Sequence, residues 1–130
     1  MSALSDYAEK LVLDWLMTAG AVTRPTAWYL ALYTVAPSDS GGGTEVSGNG
    51  YSRQSIPFAA ASTPGGTTSN TSAVNFTAAG GNWGTIVAGA IFTASTGGDM
   101  LWYGNLAASR VVNDGDTLSF AVGAGNLTLA

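Results

Sequence analysis

The apolar residues of this chain change period once, and that change limits the folds open to it. Over residues 3–19 they keep helical spacing: Leu4, Tyr7, Ala8, Leu11, Val12, Trp15, Leu16 and Ala19 fall at i, i+3, i+4 and i+7. From residue 27 onward they alternate in short runs broken by Gly, Asn, Asp and Pro, the pattern of strands joined by turns. One helix followed by many short strands points to a mainly β fold rather than alternating α/β or a helix bundle.

The helix is predicted over about residues 3–19, with Ser2 or Ser5 as its N-cap and Gly20 at the left-handed position after its end. Asp6, Glu9, Lys10 and Asp14 form its polar side. Leu13 and Met17 lie outside the main stripe and widen the apolar surface, which suits packing against two surfaces: a sheet of its own and a neighbouring subunit.

"AWYLALYTV" (27–35) reads as a strand with Trp28, Leu30 and Leu32 on one side and Tyr29, Ala31 and Tyr33 on the other. Neither side is polar, so the strand is covered on both faces, or one face meets a partner. Residues 36–50 read as a long glycine-rich loop. In "YSRQSIPF" (51–58), Ser52, Gln54 and Ile56 oppose Tyr51, Arg53 and Ser55, and Pro57 marks an edge or a strand end. Residues 62–72 read as turn and 73–76 as a short strand. A hairpin follows, with strands over 85–95 and 100–107 joined by "STGGD". "SRVVNDGD" (109–116) contains a further turn, expected as type I′ on its Asp-Gly pair. "TLSFAV" (117–122) turns Leu118, Phe120 and Val122 inward, and "NLTLA" (126–130) does the same with Leu127 and Leu129. Seven or eight such strands indicate one domain over 1–130: a helix over 1–20 and, over 27–130, an antiparallel β-sandwich of jelly-roll type.

The 130 residues are 46% hydrophobic but only 9% charged, against roughly 25% in ordinary soluble domains. A surface of Gly, Ser, Thr, Asn and Ala loses little hydration on contact, which suits life inside an assembly; an extracellular β-protein with a neutral surface is the other reading. Net charge is −4, and the four cations Lys10, Arg24, Arg53 and Arg110 are scattered, which argues against nucleic-acid binding. There is no cysteine to form a disulfide or a thiolate site. The N-terminus lacks a signal-peptide pattern and no apolar run is long enough to span a bilayer, so synthesis in the cytoplasm without membrane insertion is expected.

Catalytic chemistry finds little footing. With no histidine there is neither a Ser-His-Asp triad nor an imidazole metal site, and the eight acids are dispersed. "GGGTEVSG" (41–48) lacks the lysine of a phosphate-cradling loop, and "NDGD" (113–116) holds only a fragment of a calcium loop. No enzyme activity and no cofactor are expected. The aromatic residues, among them Trp15, Trp28, Trp83 and Trp102, are core or interface anchors, with a sugar-binding platform beside Tyr103 and Asn105 as the competing use.

"ALYTVAP", "GGGTEVSG" followed by "GYSR", and "LWYGNL", within a pattern that covers nearly the whole chain, resemble a family of small tailed-bacteriophage virion proteins often labelled "tail fibre protein". The resemblance implies a structural role in the virion and no catalytic residues. Small jelly-roll proteins of phage heads act as cement, so the leading expectation is a capsid decoration protein bridging major capsid subunits and its own copies. A tail or tail-fibre component touching the host surface, and a virion-bound carbohydrate-binding module, are the alternatives. The helix face and the loop are expected to make the contacts, through Leu13, Met17, Tyr29, Tyr33, Gly42, Thr44, Val46 and Arg53.

Overall fold

A computed structural model describes residues 2–128. The chain opens with β1 (Ser2–Leu4) and α1 (Asp6–Met17), then enters β2 (Tyr29–Val35), β3 (Thr44–Glu45) and β4 (Gln54–Ser55). After these come β5 (Thr67–Ser69), β6 (Val74–Thr77), β7 (Gly84–Phe92), β8 (Met100–Val112), β9 (Thr117–Phe120) and β10 (Asn126–Thr128). The fold is mainly β with one helix near its N-terminus, as the change of period implies.

The large sheet is antiparallel in the order β1-β8-β7-β2-β3, and β4 shares the outer edge of β2 with β3. Its middle is built by the two longest ladders, with Leu30 opposite Ile91 and Ala88 opposite Asn105. Two short ladders lie apart from it: β6 with β9, pairing Phe76 to Leu118, and β5 with β10, pairing Thr68 to Leu127. Leu30, Leu32, Ile86, Ile91 and Val112 of the large sheet form one core cluster with Val74, Phe76, Leu118 and Leu127 of the short ladders. The layering is sandwich-like. Its pairing, a six-stranded sheet with two two-stranded ladders, differs from the double four-stranded arrangement of a jelly roll.

Both sides of β2 are covered. Ala31, Tyr33, Ala88, Ala90 and Met100 make a second, thinner cluster on the opposite face, with Phe92 and Tyr103 packed against it. Ile86 and Ala88 belong to different faces although two residues apart, because the β7–β8 register breaks between them. There Ala88 pairs with Asn105 and Ile86 with Arg110, so residues 106–109 of β8 stand against the single residue 87 of β7. This is a wide irregularity of the kind that bends a strand and opens space beside it.

Several boundaries differ from expectation, each for a local reason. β8 continues to Val112, so the turn narrows to 113–116. In that turn Asp116 donates to the Asn113 carbonyl at 2.9 Å and the positive φ falls on Gly115 and not on Asp114, the type II pattern rather than type I′. Residues 67–69, expected as turn, pair as β5 because Leu127 needs an opposing strand to close the core. Strict alternation over 51–58 fails: Tyr51 and Ile56, on opposite sides of such a strand, both reach the main core, and only β4 remains in the ladder. Val122 lies beyond the end of β9 and is exposed, not inward, while Leu129 falls outside the described residues.

Candidate functional site

α1 is held firmly at its first turn and nowhere comparably after it. Ser5 is the N-cap: its hydroxyl accepts from the Ala8 N–H at 3.2 Å and donates to the Met100 carbonyl. The Ser5 N–H donates to the Leu101 carbonyl at 2.9 Å, and the Asp6 N–H to the Asp39 carbonyl at 3.0 Å. Ser5 and Ala8 are buried against the start of β8. The helix ends at Thr18, whose N–H reaches the Asp14 carbonyl at 3.2 Å with its own backbone extended, so Gly20 has no left-handed role to play.

Past that anchor the helix displays its apolar side chains. Leu13, Trp15 and Leu16 are about 60% exposed and Met17 is 77% exposed. At 100° per residue Glu9, Leu13, Leu16 and Met17 share one side, and Ala8, Leu11, Val12 and Trp15 the other. The stripe expected to face the chain's own sheet therefore meets it only through its first turns; Trp15 and Leu16 stand clear. Leu13 and Met17, expected from the sequence to face a partner, are exposed. On the polar side Lys10 pairs with Asp14 one turn on, an exposed pair of small energetic weight. Leu13, Leu16 and Met17 thus form one exposed apolar face, with Trp15 exposed on the opposite side of the helix.

The loop over residues 36–50 is braced rather than free. Ser38 and Gly41 exchange backbone hydrogen bonds of 2.9 and 3.0 Å. Gly43, at φ +74°, lets the chain pass so close to β2 that a Cβ there would stand 2.6 Å from the Val35 carbonyl oxygen. Thr44 and Glu45 then pair with Val35 and Tyr33, and Val46 is buried with its N–H on the Leu32 carbonyl at 3.0 Å.

A charged cluster locks this loop in place. Arg53 donates from Nε and Nη2 to the two carboxylate oxygens of Glu45, each at 2.9 Å, and from Nη1 to the carbonyls of Ala94 (3.0 Å) and Gly97 (2.8 Å). Its guanidinium lies 3.8 Å from the centre of the Phe92 ring. The Tyr51 hydroxyl donates to Glu45 at 2.7 Å and accepts the Leu32 N–H at 3.0 Å. Burial on its own would raise the Glu45 pKa. The hydrogen bonds from Arg53 and Tyr51, with the charge of Arg53, outweigh it and hold the carboxyl below its ordinary value. Burial, helped by the bond to Glu45, pushes the Tyr51 phenol well above the ordinary range.

The eight residues singled out from the sequence thus divide. Leu13, Met17, Gly42 and Thr44 are exposed and available to a partner. Tyr33 and Val46 are buried in the two core clusters, Tyr29 is half-buried in the ladder, and every donor group of Arg53 is engaged within the chain. These four side chains are wholly or partly enclosed within the fold.

Sequence reasoning missed a groove of about 560 Å³ beside the irregular middle of β8. Leu30, Ile56, Ile91, Trp102, Leu106 and Phe120 give it an apolar lining, and Arg110 is its charged residue. One lip is the turn over 121–125, held by the buried Asn70. Its Nδ2 donates to the carbonyls of Ser72 (2.8 Å) and Ala121 (3.0 Å), and its Oδ1 accepts the Gly125 N–H at 2.8 Å. The only trace in the sequence is the small-residue run "AVGAG" (121–125), which leaves the space open. Among the described residues no group of three or more acidic side chains is placed to hold a metal ion, and no helix is long and apolar enough to cross a membrane.

The family model described as "Podophage GP4 fiber I protein gp80" matches residues 3–129. Comparison with curated protein sequences finds no match. The family match spans nearly the whole chain, helix included, and the chain belongs to this family of phage virion structural proteins labelled as fibre.

Proposed function

We propose that this member of the fibre family is a structural subunit of the phage tail fibre, joined to its neighbours through α1, with the strand body as a rigid spacer. The observation that carries the reading is the group Leu13, Trp15, Leu16 and Met17, exposed on a helix whose start is tied to the sheet. Burying the shared face of Leu13, Leu16 and Met17 against a partner supplies on the order of 4 kcal/mol, before the cost of association. A chain with only 9% charged residues adds little desolvation penalty to such contacts. The work done is contact, repeated across copies, rather than turnover of a substrate. Its partners in this reading are copies of itself and adjoining virion proteins.

The family name favours the fibre over the capsid cement role suggested by the sequence pattern alone. Copy number and position separate the two. Quantitative gels of purified virions should give a small number of copies per particle, and gold-labelled antibody should mark the tail. Hundreds of copies per particle, with label spread over the head, would replace the fibre reading with capsid decoration.

A further inference from the structure

Among the described residues two apolar surfaces have no cover, one convex and one concave. The convex one is the side of α1 bearing Leu13, Leu16 and Met17; the concave one is the groove lined by Trp102, Leu106 and Phe120. We infer that α1 of one copy docks in the groove of the next, so that copies join head to tail.

Charge sets the pairing. The groove's charged residue is Arg110, which is exposed and makes no ion pair among the described residues. Asp14 on the helix is engaged by Lys10, which leaves Asp6 and Glu9 as its carboxylates without an ion pair among the described residues. Glu9 lies four residues before Leu13 and seven before Leu16, so the apolar stripe ends in a carboxylate about 10 Å along the axis. A helix seated with Leu13 and Leu16 between Trp102, Leu106 and Phe120 brings Glu9 toward Arg110. The opposite direction would set the end of the helix, whose carboxylate Asp14 is already paired with Lys10, against the cation. An amphipathic helix reading a groove through i, i+4 and i+7 anchors is a common recognition mode.

The first turn of α1 is tied to Met100, Leu101 and Asp39, and in the chain itself the face with Leu13 and Met17 is open. The seat is therefore on a second molecule. Because donor and acceptor surfaces differ, each copy retains a free helix at one end and a free groove at the other. Such a heterologous contact closes into a ring or runs on as a filament, according to the rotation between copies. This inference rests on the fibre reading and gives it a specific self-contact.

Two variants of the 130-residue chain test it by sedimentation over a concentration series. Leu13→Ser with Leu16→Ser disables the helix and leaves the groove; Ala108→Trp with Arg110→Glu fills and inverts the groove and leaves the helix. All four positions are exposed, and far-ultraviolet circular dichroism checks that both variants fold. The natural chain should form concentration-dependent species larger than a dimer, and each variant alone should associate at least about tenfold more weakly. Mixed, the two variants should form a one-to-one dimer and nothing larger, since each still has one working surface. In a single chain, Glu9→Arg with Arg110→Glu should recover the association that either change alone removes. A groove variant that self-associates like the natural chain would overturn the inference in favour of helix-to-helix contact. No heterodimer in the mixture, or a natural chain that stays monomeric, would overturn it too. A monomeric chain that is nonetheless found at the tail in virions would leave the fibre role standing and remove only this contact.

Discussion

Phe76 and Leu16 are both large apolar side chains, yet Phe76 is 2% exposed and Leu16 is 61% exposed. Phe76 belongs to the strand body, where Tyr51 stacks on it at 6.3 Å and Phe120 meets it edge-on at 6.1 Å. Leu16 belongs to an amphipathic helix whose last turn is largely exposed. In the body, each strand finds its cover within the same molecule because antiparallel ladders bring distant segments together. The helix is fully buried only where Ser5 and Ala8 pin it, with Leu11 and Val12 half-buried beyond them. In the proposed reading its apolar surplus is surface for another chain, and the low overall charge of the molecule suits that use, because little hydration is stripped when such a surface is covered.

Substitutions in the two regions should have opposite signatures, and the largest contrast is the simplest to measure. Phe76→Ala should lower stability by about 3–5 kcal/mol in chemical denaturation through lost burial and a cavity, whereas Leu16→Ala should change it by less than about 0.5 kcal/mol. Equal costs would mean that α1 packs on its own body after all. Next in size, Arg53→Ala should cost about 3 kcal/mol by leaving Glu45 partly buried without its partner. It should also raise amide exchange over residues 36–50, showing that this region is braced by chemistry rather than by a neighbour.

The same pair gives a pH test. The Glu45 pKa is held below its ordinary value in the folded chain, so the pair's full contribution is present above about pH 4.5 and is lost as pH falls through the folded value. The natural chain should lose stability across that acid range, and Glu45→Gln should flatten this part of the profile. Smaller still, Ser5→Ala should cost about 1–2 kcal/mol by removing the cap and the bond to Met100. Exchange should then rise at the first turn of α1 with little change in β7 and β8.

Period and turn chemistry made much of this legible. The helix, the two-faced strand with Leu30 and Leu32 opposite Ala31 and Tyr33, the hairpin over 84–112 and the inward Leu118 and Leu127 all follow from side-chain spacing. Periodicity identifies a face without saying what covers it, which is why the stripe through Trp15 and Leu16 looked like core. Short pairings such as β1 and β5 carry no spacing of their own; Ser, Ala and Thr become strands there because a neighbouring edge is open. The Glu45–Arg53–Tyr51 cluster was hidden because a loop's glycines advertise freedom, while its bracing depends on one carboxylate meeting one guanidinium across eight residues. The groove depends on an irregular register opposite residue 87, which no pattern in the strand announces.

Radical footprinting of Leu16 and Met17, in the dilute monomeric chain and in intact virions, addresses the account most directly. Both side chains should oxidise readily in the free chain and be strongly protected in the particle, while exposed Val111 on the body serves as the reference. Equal oxidation in the two states would contradict the claim that another chain covers this helix.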